Sequence, residues 1–380
     1  MALRTPFHKL PIATKVNIVL SSTLAVLFVI AITWATSWLT QRIAEDNIDT
    51  VRQVNIQTVN MIQVLNVTLE RNVTRLNNIL KGSLPPTYTL DTTQRIMVAG
   101  TSTPVLKAGN ETLNLNFAVV DRFTAMANVA ASVLVRDGDD FIRISTSLKK
   151  ENDERAIGTK LGRDHPALRA LLANEPFVGK AHLFRRDYMG HYMPLQDASG
   201  AVVGALFVGR DFTAELSTLQ QKILEINFGK HGYMYVLDAG DNQGTFIVHP
   251  TLQGQNVYDE NSIKNFSYIR EIIEKENGVL PYQFVMDFVD GEAVTRGRIA
   301  VFNSIPEWKW IVVSAIDDED IKANAIGVRN RLIFGAIVLC ALLFAAIFAI
   351  SRRWIAQPLA VAITSMEKMT KEQFKYLDDI

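Results

Sequence analysis

Cysteine is almost missing from this chain. The single one, Cys340, lies inside an apolar run, which excludes an intrachain disulfide and any cysteine-built metal site. A charge excess is missing too: Lys and Arg number 39 and Asp and Glu 39, so nothing in the balance points to nucleic acid. Glycine and proline are absent from Ile12 to Lys81, which lets one helix run unbroken through that stretch. There is no Gly-x-Ser-x-Gly elbow, no His-Glu-x-x-His and no Gly-rich phosphate loop, so the rival class, a membrane-anchored external hydrolase, has no catalytic motif to rest on.

Long apolar runs, by contrast, are present twice. Leu332 to Ile350 is uncharged and almost wholly apolar, with Arg329 and Arg331 before it and Arg352 and Arg353 after it. At ~1.5 Å of rise per residue such a run just crosses a hydrocarbon core of roughly 30 Å. Residues 16 to 41 carry no charge, and their apolar centre from Val16 to Leu39 is too long for a signal-peptide core and has no convincing cleavage site. This predicts a retained first membrane helix over 16–39 and a second over 332–350. Arg4, Lys9 and Lys15 precede the first, and Arg352 and Arg353 follow the second, against Arg42, Arg329 and Arg331 on the opposite side. The positive-inside rule then places both termini, residues 1–15 and 351–380, in the cytoplasm. Behind the second helix Ile355, Leu359, Ala362, Met366 and Met369 recur at fours and threes, a heptad seam that starts at the membrane face and follows Pro358. A helix that leaves a bilayer, is broken by a proline and resumes as a coiled-coil strand reads as a device for carrying motion across a membrane.

Residues 40–82 extend the first helix outward, with Ile62, Leu65, Leu69, Val73, Leu76 and Leu80 forming one apolar stripe that suits either a buried core contact or a dimer seam. Gly82-Ser83-Leu84-Pro85-Pro86 ends it. The periodicity then becomes two. Over 83–213, runs such as Phe117 to Val120 and Phe141 to Ser147 read as strands, with a turn at Asp137-Gly138-Asp139-Asp140, a helical stretch from His165 to Leu172, and strands at Phe177 to Phe184, Tyr188 to Leu195 and Ala201 to Val208. A connecting helix over 214–228 leads to a second unit over 229–320 with the same layout: strands at Tyr233 to Leu237 and Thr245 to Val248, a helix at Ile263 to Lys275, and strands around Tyr282 to Phe288, Arg296 to Phe302 and Trp310 to Ala315. The fold class expected is α+β, a long helix carrying two antiparallel-sheet units between two membrane helices.

In their order these motifs resemble the tandem Cache sensor domains of bacterial methyl-accepting chemotaxis receptors. The first unit is similar to Cache type 3 through Phe141 to Ser147, Ala156 to Leu161, Tyr192-Met193-Pro194-Leu195 and Gly200 to Gly209; the second resembles Cache type 2 through Gly232 to Val236, His249-Pro250 with Gly254, and Trp308-Lys309-Trp310. Together they look like the Cache 3/Cache 2 fusion over roughly 40–320, and the Pro358-Leu359 junction resembles the start of a HAMP relay. The resemblance implies PAS-like units, the first (83–213) membrane-distal and the second (229–320) membrane-proximal, a periplasmic sensor in a multi-pass inner-membrane protein, a homodimer, and cytoplasmic chemotaxis signalling proteins reached through an output domain beyond Ile380. A histidine kinase or diguanylate cyclase could follow the same sensor half.

His165, His182 and His191 fall in one stretch with Arg163, Arg169, Lys180, Arg185 and Arg186, a local basic excess that suits an anionic ligand such as a small carboxylate, because guanidinium forks hold carboxylates by charge-assisted bonds. Strand parity places Tyr188 and Tyr192 on one face and Arg143, Ser145 and Ser147 on one face. Arg143, Ser145, Ser147, His182, Arg185, Tyr188 and Tyr192 are therefore the expected ligand-binding residues, with Arg143, Arg185, Tyr188 and Tyr192 foremost because the Cache pocket lies between the sheet and the loops above it. No catalytic residue, metal or cofactor is expected, and His249-Pro250 reads as a structural turn. Four Asn-x-Ser/Thr matches, at Asn66, Asn72, Asn110 and Asn265, are idle in a bacterial protein.

Overall fold

A computed structural model describes residues 12–258, 263–289 and 292–377, so the predicted N-terminal segment over 1–15 lies mostly outside the described residues. Two compact units emerge, one spanning Val51–Ile316 and the other formed by the first fifty residues with those from Asp317 onward.

Within the first unit the governing element is the outer part of α1 (Ile12–Gly82). Val51, Asn55, Thr58, Ile62, Asn66, Leu69, Val73, Asn77 and Leu80 are each no more than 4% exposed. They are spaced four, three, four, then four, three, four again: an eleven-residue repeat of ~3.67 residues per turn, so near to 3.6 that the buried stripe stays straight along the helix. The apolar stripe read from sequence is thus a core contact within the chain, and it contains asparagine at every eleventh position.

Beyond α1 comes a three-stranded antiparallel sheet of β1 (Tyr88–Val98), β2 (Thr101–Ala108) and β3 (Glu111–Thr112). The segment Phe117–Ala127, whose start reads as a strand in the sequence, is instead a helix, α2. Asn116 caps it by accepting from Ala118 N at 3.2 Å, and Val120 and Phe123 are buried one helical turn apart. A short apolar run fits either period, and the cap decides it. Then follow β4 (Ala130–Asp137), β5 (Asp140–Thr146), α3 (Pro166–Leu172), β6 (Phe177–Leu183), β7 (Arg186–Gln196) and β8 (Val202–Asp211). The five strands pair antiparallel in the order β5-β4-β8-β7-β6. One face of this distal sheet carries Ala131, Val133, Val135, Ile142, Ile144, Leu206 and Val208 against Leu80, Leu84, Val120 and Phe123. The other carries Leu134, Phe141, Tyr192, Ala205 and Phe207 beneath Ala167, Leu168 and Leu171 of α3.

Helix α4 (Thr213–Leu224) leads to β9 (Asn227–Phe228), β10 (Gly232–Asp238), β11 (Phe246–Val248), α5 (Ile263–Lys275), β12 (Gly278–Val289), β13 (Glu292–Ile305) and β14 (Trp310–Asp317). The proximal sheet runs β11-β10-β14-β13-β12. Ile269, Ile272 and Ile273 of α5 pack on Leu237, Phe302 and Val313.

The buried asparagines of α1 fasten both sheets. Asn55 Nδ2 donates to Val301 O, Val312 O and Ser314 Oγ at 3.0–3.1 Å, and Asn77 Nδ2 donates to His191 O at 2.8 Å and Leu206 O at 3.4 Å. Between them Asn66 Oδ1 accepts from the Trp308 indole at 2.7 Å, a burial that also removes Asn66 as a glycosylation acceptor. A helix has no spare backbone groups in its interior, so only side-chain amides can reach the strand carbonyls it crosses.

In the second unit Asn47 Nδ2 donates to Ile321 O at 2.9 Å. Helix α6 (Asp318–Ser351) continues through a π-helical turn at Arg352–Ala356 into α7 (Gln357–Leu377). Pro358 does not break the helix as the sequence suggests. Its ring would collide with the carbonyl four residues back, at Trp354, and widening that turn accommodates it. Two helices here are long and apolar enough to cross a membrane. Met366 and Met369 of the heptad seam are each 69% exposed.

Candidate functional site

The face of the distal sheet under α3 is built from side chains in register. One cross-strand row consists of Thr146, Ser132, Phe207, Tyr192 and Phe177. The adjoining row is Ala130, Gly209, Gly190 and Gly179, four positions with almost no side chain. A trough results, into which aromatic rings settle: a Cβ at Gly190 would stand 2.8 Å from Phe207 Cε2, one at Gly209 2.6 Å from Phe207 Cζ, and one at Gly179 2.8 Å from Phe177 Cζ. Tyr192 and Phe207 lie 4.7 Å apart between centroids, and His165 stands edge-on to Tyr192 at 5.3 Å and to Phe177 at 5.9 Å. His165 is fixed because its Nδ1 accepts from Ala167 N at 3.1 Å, capping α3.

Arg143 enters this aromatic face from β5. It is 6% exposed, its Nε donates to Ser132 Oγ at 3.2 Å and its Nη1 to Thr159 Oγ1 at 2.5 Å, and its guanidinium lies 5.9 Å from the Phe207 ring centre. Among the described residues no carboxylate pairs with it. Burial lowers the pKa of Arg143, and burial together with the nearby guanidinium lowers that of His165. Burial raises the Tyr192 phenol, with Arg143 opposing. The first cause of all three shifts is the same, each group's own burial away from water; Arg143 adds to it at His165 and works against it at Tyr192.

The expected site residues divide. Arg143, Tyr188 and Tyr192 lie on this face, with Tyr188 packed beside Leu148 and Ala156. Ser145 and Ser147 do not join Arg143. A bulge between the Val133–Ser145 and Leu134–Arg143 pairs inserts Ile144, and one extra residue reverses the parity of everything after it. Ser145 Oγ donates to Asn116 O at 2.6 Å on the opposite face, Ser147 Oγ meets Thr124 Oγ1 of α2 at 2.6 Å, and Thr146 takes the place beside Ser132 at 2.6 Å. His182 and Arg185 are exposed at the end of the β6–β7 hairpin. His182 Nδ1 lies 2.9 Å from Asp187, and Arg185 lies 3.9 Å from Glu151 at a turn with φ +64°.

The other basic residues of this stretch are mostly spoken for. Arg163 pairs with Asp140 at 2.6 Å and Arg186 with Asp211 at 2.9 Å. Lys180 projects from the opposite face of β6, its Nζ 4.4 and 4.2 Å from the centres of Trp308 and Trp310. Burial pushes its pKa down to about 8 despite Asp238 and Asp187 nearby. His249 has the structural role expected: Nδ1 accepts from Thr251 N and Leu252 N, and burial brings its pKa to about 4. Residues that sequence reasoning missed are Ser132, Thr159, Phe207 and the glycine row, while His165 is named in the basic stretch but not among the expected site residues. Only the recurrence of glycine within predicted strands, at 179 and 190, and just past the end of one, at 209, hinted at them.

The profile of the Cache 3/Cache 2 fusion domain matches residues 37–330. Among solved structures, the sensory domain of the Campylobacter jejuni chemoreceptor Tlp3 is similar at 11% identity and a TM-score of 0.42, over 75% of this chain and 99% of its own. The ligand-binding domain of Mlp24 with asparagine aligns at 14% identity and 0.41, over 74% and 98%. The ligand-binding domain of the Pseudomonas fluorescens chemoreceptor CtaA in complex with L-isoleucine aligns at 16% and 0.39, over 74% and 97%. No curated protein sequence matches.

Proposed function

Because this chain belongs to the Cache 3/Cache 2 fusion domain family, we propose that it is the sensor region of a transmembrane chemoreceptor, and that its distal unit binds a small carboxylate against Arg143. One observation carries the ligand class. A guanidinium 6% exposed and bonded, among the described residues, only to the hydroxyls of Ser132 and Thr159 is an uncompensated buried cation. Such a charge costs several kcal/mol until an anion meets it. A carboxylate would complete the fork, the glycine trough would give its carbon skeleton room once the Phe207 ring moves aside, and Tyr188 and Tyr192 would flank it. The protein acts as a binder, not as an enzyme.

In this reading the sensor lies outside the inner membrane, periplasmic, with both termini cytoplasmic. Binding is passed through α4, the proximal unit and β14, which runs directly into α6. The π-helical turn before Pro358 supplies a compliant joint between α6 and α7, the first helix of a HAMP relay, and the output is chemotaxis signalling. The active form is a homodimer: Ile56, Met61, Val64 and Val67 leave α1 with an apolar stripe on its outer side, Val64 being 66% exposed, and a second copy of the same helix would cover it.

The full chain in lipid nanodiscs, titrated calorimetrically with acetate, L-lactate, L-alanine and L-glutamate, should show saturable one-to-one binding of at least one of them. Arg143→Gln should weaken it roughly ten- to hundredfold, the loss of charge-assisted hydrogen bonds. Silence from all four probes, or equal affinity in the variant, refutes the assignment.

A further inference from the structure

We propose that the cleft between α1 and the β6–β7 edge of the distal sheet is a second binding site, for a small molecule bearing two or more negative charges. It comprises two adjoining hollows of about 640 and 360 Å³ that share Thr74 and Asn78. Both hollows are wide open to solvent, so a ligand here would be held by charge rather than by enclosure. Arg71 and Arg75 line the first and Lys81 the second.

Among the described residues the three cations have no acid to pair with. On a helix a side chain meets those three and four positions away. Those positions are Val67, Thr68, Thr74 and Arg75 for Arg71, then Arg71, Asn72, Asn78 and Ile79 for Arg75, and Asn77, Asn78, Leu84 and Pro85 for Lys81. Among the described residues none of the three forms an ion pair, and Arg71 and Arg75 face each other as a like-charge pair one turn apart, which is unfavourable by itself. Among the described residues lining the cleft the one acid, Glu70, already accepts from Asn66 Nδ2 at 2.9 Å. Three cations against one engaged carboxylate leave an excess of positive charge that a singly charged ligand would not neutralise.

A buried imidazole lines the smaller hollow. His191 is 3% exposed, lines the cavity, and its Nδ1 has no hydrogen-bond partner. Burial lowers its pKa, so the ring is neutral at pH 7, with one nitrogen a donor and the other an acceptor. His191 and Tyr192 are consecutive in β7 and point to opposite faces, so this cleft and the Arg143 face are back to back through one sheet and neither depends on the other.

Titrations of the full chain in phosphatidylcholine nanodiscs, all in an Arg143→Gln background so that the first site is silent, test the proposal with citrate and inorganic phosphate as probes. Citrate should bind one-to-one, more tightly than phosphate. Arg71→Gln combined with Arg75→Gln, and separately Lys81→Gln, should each weaken citrate by roughly tenfold or more. All three residues are exposed, so the variants keep the fold and their unchanged thermal midpoints serve as the control. No saturable heat from either probe, or an affinity indifferent to both variants, overturns it, and leaves the Arg143 reading untouched.

Discussion

If Arg143 is an unpaired buried cation, replacing it with Met should not destabilise the ligand-free protein. The guanidinium uses two of its N–H groups, on Ser132 Oγ and Thr159 Oγ1. Losing them costs about 1.5–3 kcal/mol each at most, as hydrogen bonds to a charged group. Neither hydroxyl is orphaned, since Ser132 Oγ keeps Thr146 Oγ1 at 2.6 Å and Thr159 Oγ1 keeps Ala156 O at 2.8 Å. Against that loss stands relief of the desolvation of a lone charge, again several kcal/mol. Met is close to Arg in length and fits among Phe207, Leu134 and Phe141. The two terms nearly cancel, and the thermal midpoint followed by tryptophan fluorescence should stay put or rise by a few degrees, about 2–4 °C per kcal/mol for a unit of this size. The midpoint gain that a bound carboxylate confers on the native chain should vanish in the variant. Breaking a satisfied buried pair costs about 3–5 kcal/mol instead. A fall of roughly 6 °C or more would therefore mean that Arg143 is already fully satisfied, and the argument for an anionic ligand would fail.

Gly190→Ala should lower stability by about 1–3 kcal/mol and abolish carboxylate binding, because its Cβ would meet Phe207 Cε2 at 2.8 Å; unchanged calorimetric affinity would mean the trough is not the site. Asn55→Ala strips one amide from three acceptors in the proximal core and should cost ~2–4 kcal/mol, readable as a lowered midpoint with a native circular dichroism spectrum before melting. Lys180 has a folded pKa of about 8 against 10.5 unperturbed, so the unfolded chain binds its proton more firmly between those values. Stability should rise with pH through that window, and Lys180→Met should flatten the rise; parallel midpoint–pH curves for the two proteins would refute this. Moving Trp354, 76% exposed beside the π-helical turn, by one or two positions should bias the output of a chimera carrying a complete HAMP and kinase-control domain, with ligand affinity unchanged.

Much of this architecture was legible in the residues alone. The absence of glycine and proline from Ile12 to Lys81 permitted one helix, and α1 covers that span. Two uncharged apolar runs marked the candidate membrane helices, and the order of strands and turns brought out two Cache units. Tyr188 and Tyr192 could be placed on one face because strand parity holds along the unbroken part of β7. What stayed hidden depended on the partner of each residue. Parity fails past a bulge, and whether Ile144 bulges is decided by how β5 pairs with β4, so Ser145 and Ser147 were assigned to the wrong face. The glycines at 179, 190 and 209 are scattered in sequence and become one trough only through the register of three strands. Charge composition shows that a stretch is basic, but not which cations find carboxylates. Arg163 and Arg186 do, whereas among the described residues Arg143, Arg71, Arg75 and Lys81 do not. Local periodicity is fixed by the chain's own covalent geometry, while pairing and burial are set by segments a hundred residues away, and those are available only once the chain has folded.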